Sequence, residues 1–346
     1  MRCVLAVLLL ITGIFSQSPV WAQEGGPHVD PQLEKLAQAE KAVTEAHYRD
    51  AEKIYMELFT NDRNNPGILL LLTGVWKKLY GLNDVPVELK KIIADNPESP
   101  AGYFAYAWFF SSEPELPPDD PVLKAAAVKF ADNAELQMMI GDVYFMRMRN
   151  YEALPYLEKA LSLKPHMPNL LGMIAAAYHD LEDKSQVKAG LESRLKTDPT
   201  EPSARVALGV MAYYEEDYEK ALQLLEPLQH EFPEEPRMWI YPMMAHFHMG
   251  QQEEAEKMLQ TAFTFKDDSD VHYCAATIYR EKDPRRALAE LNIFLEMNES
   301  TPQRHPPKIT RVKHMRRELL CQLEGDCGFR PDEVEEDSRR GPGLYD

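Results

Sequence analysis

The sequence predicts an all-α fold made of repeated pairs of helices. Pro165, Pro199 and Pro233 lie at intervals of 34 residues. Before each of these prolines, small and apolar residues recur at similar distances, with the spacing of amphipathic helices. A fixed period of this length is typical of repeat proteins, in which each unit packs mainly on its neighbours.

The copy of the repeat that ends at Pro165 is the clearest. Its matching residues are Ile140, Gly141, Tyr144, Ala153, Leu157, Ala160 and Pro165. This pattern resembles the tetratricopeptide repeat, whose consensus spaces Trp, Leu-Gly, Tyr, Ala, Phe and Pro over about 34 residues. The resemblance implies a right-handed α-solenoid of about seven tetratricopeptide-like helix pairs with a C-terminal capping helix. Later copies depart from the pattern at Val187, where a small alanine is expected, and at Asp267, which replaces the final proline.

Local signals place the helix pairs along residues 23–301, the predicted repeat array. Asp30 and Pro31 provide an N-cap and a first-turn proline, so the first pair begins there. Residues 72–93 carry a degenerate second pair. Residues 103–110 are aromatic on nearly all sides, which is typical of a buried helix, and a proline-rich loop follows. The regular copies occupy 134–267, and a shorter pair follows them.

The two ends of the chain are predicted to lie outside the array. Met1-Arg2, an apolar run over 3–15 and the small residues of Val20-Trp21-Ala22 are typical of a secretory signal peptide, so 1–22 is expected to be removed. The alternative is an uncleaved anchor. Residues 302–324 are predicted to contain the capping helix. Residues 325–346, an acidic and then Gly- and Pro-rich tail, are predicted to be disordered.

The chain is strongly acidic. Its formal net charge is −18, which argues against nucleic acid or anionic lipid as the main partner and favours basic partners. Of its 4 cysteines, Cys321 and Cys327 are predicted to close a short disulfide loop in an exported chain. Cys274 is predicted to be a buried small hydrophobe.

No pattern of catalytic residues stands out in the sequence. It contains no nucleophile elbow, phosphate-binding loop, HExxH or CxxC motif. His246 and His248 are two positions apart, so they point to different sides of a helix. We therefore expect a non-enzymatic protein without a metal or a cofactor.

The resemblance implies a concave groove lined by the first helix of each pair. The predicted partner-binding residues are Met138, Asp142, Phe145, Met146, Tyr213, Tyr214, Met244, Phe247 and Tyr279, accompanied by Val206, Val210, Ile240, His248 and His272. This apolar, aromatic and Met-rich lining suits a peptide with apolar anchors. The alternative is that these side chains form the core. Some family members hold a terminal carboxylate on this face, but Met138 and Asp142 occupy the places of the basic and amide residues involved.

A basic segment stands out against the acidic background. Lys308, Arg311 and Arg316 are predicted to share one face of the capping helix and to dock an acidic partner, with a solvated polar face as the alternative. Asn298-Glu299-Ser300 fits the N-glycosylation pattern, which matters only in a eukaryotic source.

Together these features predict a non-catalytic, exported scaffold or adaptor that binds a protein or peptide partner. The alternatives are an accessory or substrate-binding subunit of an exported enzyme complex, and an envelope or secretion assembly factor. The expected location is the periplasm or cell surface rather than a eukaryotic secretory lumen.

Overall fold

The computed structural model describes residues 31–113, 119–266, 268–298 and 306–324. All regular secondary structure in these ranges is α-helical, which confirms the predicted all-α fold of tetratricopeptide-like helix pairs. The chain divides into two compact units between Pro165 and His166. The predicted signal peptide (1–22), Cys327 and the predicted acidic tail (325–346) lie outside the described residues.

The first unit contains four helix pairs. They are α1 (Pro31–Thr44) with α2 (Tyr48–Asn61), α3 (Pro66–Leu79) with α4 (Val85–Asp95), α5 (Pro100–Ser112) with α6 (Pro121–Lys129), and α7 (Ala134–Phe145) with α8 (Asn150–Leu163). The aromatic helix α5 is buried as predicted, since Tyr106 and Phe109 are 0% exposed.

The second unit contains four more pairs and the terminal helix. They are α9 (Leu170–His179) with α10 (Lys184–Thr197), α11 (Pro202–Tyr214) with α12 (Tyr218–Glu231), α13 (Arg237–His248) with α14 (Gln252–Ala262), and α15 (Ser269–Tyr279) with α16 (Pro284–Asn298), followed by α17 (Pro306–Glu324). The described part of the chain thus holds eight pairs where about seven were predicted. Helix α17 packs on α16, as expected of a cap.

Close approach within a pair depends on small residues in both helices. A Cβ added to Gly141 would lie 2.6 Å from Leu157 Cδ2, and one added to Gly209 would lie 2.6 Å from Leu225 Cδ2. No side chain larger than hydrogen fits at these two positions without a shift. The second helices contribute alanines that are 0% exposed: Ala153, Ala221, Ala255 and Ala287.

The pair α9/α10 departs from this packing. Helix α10 buries only Leu191, and its surface is otherwise polar. Val187 occupies the place of the buried alanine and is itself only half-buried. A β-branched side chain needs more room than a methyl group, so Val187 does not reproduce the close contact that the buried alanines make in other pairs.

The turns inside several pairs share one backbone feature. Ala46, Met148, Glu216 and Gly250 each have a left-handed conformation, with φ of 59°, 57°, 62° and 75°. The next residue donates its N–H to a carbonyl of the preceding helix, as in Asp217 N to Ala212 O at 2.9 Å. This bond closes the C-terminus of the first helix and reverses the chain. In the pair α11/α12, the left-handed residue of the turn is Glu216, which is exposed.

Candidate functional site

The ends of α11 and α13 bring aromatic rings together in the second unit. Tyr213 is 4% exposed and Tyr241 0%, and their rings lie 5.2 Å apart in an edge-to-face arrangement. These two side chains form a buried layer. The half-exposed rings around it are His179, Tyr214, Tyr218, Phe247 and His248, which we call the aromatic surface.

The rings of the aromatic surface are held by contacts with one another and with the buried layer. His179 stacks on Tyr214 at 4.0 Å between ring centroids, and Tyr218 stacks on His248 at 5.2 Å. Phe247 meets His248 edge-to-face at 5.5 Å. Contacts of this kind restrict the rotamers of each ring, so the aromatic surface is preorganised.

The electrostatic potential at the aromatic surface is negative. Burial raises the pKa of Tyr218, and the neighbouring Glu216 raises it further. Burial lowers the pKa of His248, so its imidazole is neutral at pH 7. Glu215 pairs with Lys188 at 2.6 Å, and Asp217 caps α12 by accepting the backbone N–H of Lys220. The C-termini of α9, α11 and α13 add partial negative charge.

Several predicted groove residues of the second unit are not on a surface. Tyr213, Met244 and Tyr279 are 4%, 1% and 4% exposed, so they belong to the core and the prediction that they line an open groove is corrected. A guanidinium also covers Tyr279, because Arg286 Cζ lies 3.9 Å from its ring centroid. The accompanying residues Val206, Val210 and Ile240 are likewise buried. Tyr214 and Phe247 are half-exposed.

The predicted residues of the first unit are all half-buried. They are Met138, Asp142, Phe145 and Met146. Asp142 accepts a hydrogen bond from the Ser111 hydroxyl, and its charge acts on Arg147. Arg147 donates to the carbonyls of Phe110, at 2.7 Å, and Glu113, at 2.9 Å. Asp142 therefore takes part in a polar network that closes the C-terminus of α5.

The predicted basic docking face on α17 is wrong at Lys308. This lysine is 1% exposed and donates to Asp270 at 2.8 Å, so it fastens α17 to α15. Arg311 hydrogen bonds to Tyr273, and Arg316 donates to Asn292 at 2.6 Å. The three side chains make contacts within the protein rather than a shared surface for an acidic partner.

A polar cavity of about 610 Å³ lies near these residues in the second unit. Arg237 lines it and donates to Asp270 at 2.8 Å, so Asp270 bridges Arg237 and Lys308. Next to Arg237, Glu235 is 2% exposed, and burial raises the pKa of its carboxyl group to about 7. These paired charges join α13, α15 and α17.

Two of the cysteines, Cys274 and Cys321, lie in the described residues. Cys274 is free and 0% exposed, and burial raises the pKa of its thiol. Cys321 is disulfide-bonded. Cys327 lies outside the described residues, so the pairing of these two remains a prediction.

The described ranges contain neither a cluster of metal-ligand side chains nor a helix of membrane-spanning character. No group of three His, Cys, Asp or Glu side chains there could hold a metal ion. No helix in those same ranges is both long enough and apolar enough to cross a bilayer.

Two rings of the aromatic surface, His179 and Tyr218, are absent from the residues predicted to bind a partner. His179 is the last residue of α9 and Tyr218 is the first residue of α12, so both lie at helix ends next to the turns. Aligning the helix ends of successive repeats, rather than their middles, would have brought these residues together.

Comparison with known proteins yields one sequence relative and several structural ones. No family model matches the chain. A cytochrome c-type biogenesis protein, CycH, of Pseudomonas aeruginosa is 30% identical over 116 residues. This match covers 33% of the chain and 28% of the relative. It therefore spans little more than a quarter of the relative's length.

The similar solved structures include two tetratricopeptide repeat proteins and yeast Tom70. A tetratricopeptide repeat protein from Parabacteroides merdae is 12% identical with a TM-score of 0.41, covering 84% of this chain and 98% of its own. Yeast Tom70 is 13% identical with a TM-score of 0.36, covering 84% and 80%. A tetratricopeptide protein from Thermus thermophilus is 19% identical with a TM-score of 0.32, covering 52% and 98%. These values are too low to transfer any function.

Proposed function

We propose that this protein is a non-catalytic scaffold or adaptor that holds a protein or peptide partner against the aromatic surface. The observation that carries the proposal is the set of five half-exposed rings on α9, α11, α12 and α13, supported by buried Tyr213 and Tyr241. Rigid aromatic side chains provide large contact areas at low entropic cost, and they are enriched at protein interfaces.

In the first unit, Met138, Phe145 and Met146 are proposed as further contacts. Their side chains are half-buried: Met138 lies within α7, Phe145 is its last residue and Met146 follows it. Thioethers adapt readily to different ligand shapes. Asp142 is proposed to act there through its network with Ser111 and Arg147 rather than as an isolated charge.

The proposal includes export. The signal-peptide pattern of residues 1–22 and the disulfide at Cys321 both support an oxidising compartment, with the periplasm or cell surface favoured. An accessory subunit of an exported enzyme complex is the alternative role. The limited similarity to CycH favours a further candidate, an assembly factor for exported proteins, because that relative is named for cytochrome c biogenesis.

Capture of the native partner tests the proposal. We expect the tagged protein to retain a stoichiometric partner from the exported fraction of its source, identified by mass spectrometry. Tyr214→Asp combined with Phe247→Asp should lower capture at least about tenfold, because two carboxylates would enter an apolar contact. Circular dichroism should keep its helical signal.

A matched control uses apolar positions that belong to neither set of proposed contacts. Val87 on α4 and Val128 on α6 are 50% and 80% exposed, so Val87→Asp with Val128→Asp adds the same charge without changing a proposed contact residue. Equal capture by both double variants would contradict the proposal. Recovery of an enzyme whose turnover falls without this chain would favour the accessory-subunit alternative.

A further inference from the structure

The carboxylate of Glu216 stands at the edge of the aromatic surface. It lies in the turn between α11 and α12, is exposed, and has a left-handed backbone with φ of 62°. It lies two residues before Tyr218, whose ring stacks on His248 at 5.2 Å between centroids, and its negative charge acts to raise the pKa of both side chains. Unlike Glu215, it forms no ion pair among the described residues. Glu216 is therefore a charge available to a ligand.

The rings beside Glu216 present π faces at a partly exposed site. Tyr218 and His248 are nearly parallel, with 14° between their planes, and Phe247 stands at 66° to His248. The face of an aromatic ring carries negative charge density and attracts a cation within about 6 Å of its centroid. Half-burial of these rings lowers the local dielectric, which strengthens the attraction.

The surrounding charge has the same sign. The turns 180–183 and 215–217 contain six carboxylates and no basic residue: Asp180, Glu182, Asp183, Glu215, Glu216 and Asp217. The ammonium group of Lys188 forms an ion pair with the Glu215 carboxylate, which neutralises its positive charge. Neutral His248 adds no opposing charge. An acidic segment or a terminal carboxylate would be repelled here, whereas a cation would be attracted.

The second unit already uses the same contact internally. Arg286 Cζ lies 3.9 Å from the ring centroid of Tyr279, so a guanidinium from α16 covers a tyrosine at the end of α15. Arg194 also reaches Tyr178, but at 5.9 Å from the ring centroid, and it donates to the Tyr178 hydroxyl at 2.6 Å. The Arg286 contact shows that a cation fits over a tyrosine in this helix arrangement.

We propose that Glu216, Tyr218, Phe247 and His248 form a binding site for a lysine or arginine side chain of a basic partner segment. The cation lies against the ring faces while Glu216 neutralises it, and the aliphatic part of the side chain packs on Phe247. This inference rests on the proposed function and specifies the partner's chemistry: a basic segment with interspersed apolar residues.

Two labelled peptides test this inference with the full mature chain. One contains four lysines and two leucines in a Gly-Ser background, and the other replaces the lysines with glutamates. Fluorescence anisotropy at physiological ionic strength should show saturable binding of the lysine peptide only. Glu216→Gln and Tyr218→Leu should each weaken binding at least about fivefold, whereas Tyr218→Phe, which keeps the ring, should stay within about twofold.

Glu231→Gln is the matched charge control. Glu231 is an exposed carboxylate at the opposite end of α12, so its neutralisation removes the same net charge away from the rings. Equal weakening by Glu216→Gln and Glu231→Gln would overturn the inference, because attraction would then be general to an acidic protein. Unchanged binding in Tyr218→Leu would also overturn it.

Capture of the native partner separates this inference from the proposed function. If the lysine peptide fails to bind but capture still depends on Tyr214 and Phe247, the proposed scaffold function is retained and the proposed binding of a lysine or arginine side chain is rejected. If capture is also insensitive to substitution of those two residues, both proposals are rejected.

Discussion

At the residue scale, the carboxyl group of Glu235 is buried and only partly hydrogen-bonded. It is 2% exposed, accepts a long hydrogen bond of 3.4 Å from Arg237 N, and has one oxygen without a hydrogen-bond partner among the described residues. Burial raises its pKa to about 7, although the charge of Arg237 and the backbone N–H of Gly172 lower it. The protonated form is therefore favoured by the fold.

Stability should consequently fall as pH rises through neutrality. The folded pKa is raised above the unfolded value, so the contribution is fully present below pH 4.5 and is lost as pH approaches and passes about 7. Glu235→Gln removes this loss, and the variant should gain up to about 3 kcal/mol relative to the wild type between pH 4.5 and pH 8. Urea unfolding at both pH values measures the difference. A difference that does not change with pH would contradict the assigned burial effect.

Lys308 shows why single residues were hard to place from the sequence. Its basic neighbours suggested a polar face, but its partner Asp270 lies 38 positions earlier and belongs to another helix. No local pattern reports such a pair. Tyr213 and Tyr214 pose a similar difficulty, because adjacent positions at a helix end differ in burial and both are tyrosine.

At the element scale, the repeat period predicted most of the helices correctly. The small-residue positions at Gly141 and Ala153 mark the close contact between two helices, and that steric requirement is visible in the sequence. The aromatic surface was predicted only in part, through Tyr214, Phe247 and His248. Its remaining members depend on how the helix ends are oriented, which the apolar period does not encode.

Two exposed glycines in the second unit test the role of the turns. Gly250 has φ of 75° in the turn after α13, whereas Gly190 lies within α10, and an added Cβ meets nothing within 4 Å at either position. Gly250→Ala should destabilise by about 1 kcal/mol because alanine disfavours the left-handed region. Gly190→Ala should stabilise by about 0.5–1 kcal/mol because alanine favours a helix.

Urea unfolding of the two alanine variants decides between backbone strain and simple helix propensity. Opposite signs of the change in unfolding free energy are expected. Stabilisation by both substitutions would show that the turn after α13 does not require the left-handed conformation.

At the scale of the whole molecule, the net charge and the aromatic surface favour the same kind of partner. The chain has a formal net charge of −18. Six of its carboxylates lie in the turns 180–183 and 215–217, near the half-exposed rings of the aromatic surface. Long-range attraction would bring a basic partner towards the protein and would weaken with salt. The apolar rings would then supply the short-range contact.

Hydrogen–deuterium exchange of the full chain, with and without its captured partner, tests the central claim most directly. Binding at the aromatic surface should slow backbone exchange in residues 211–218 and 245–250, where α11 and α13 end and their turns begin. Protection confined to other segments, such as α8 or α10, with exchange in 211–218 and 245–250 unchanged, would contradict the claim that the aromatic surface holds the partner.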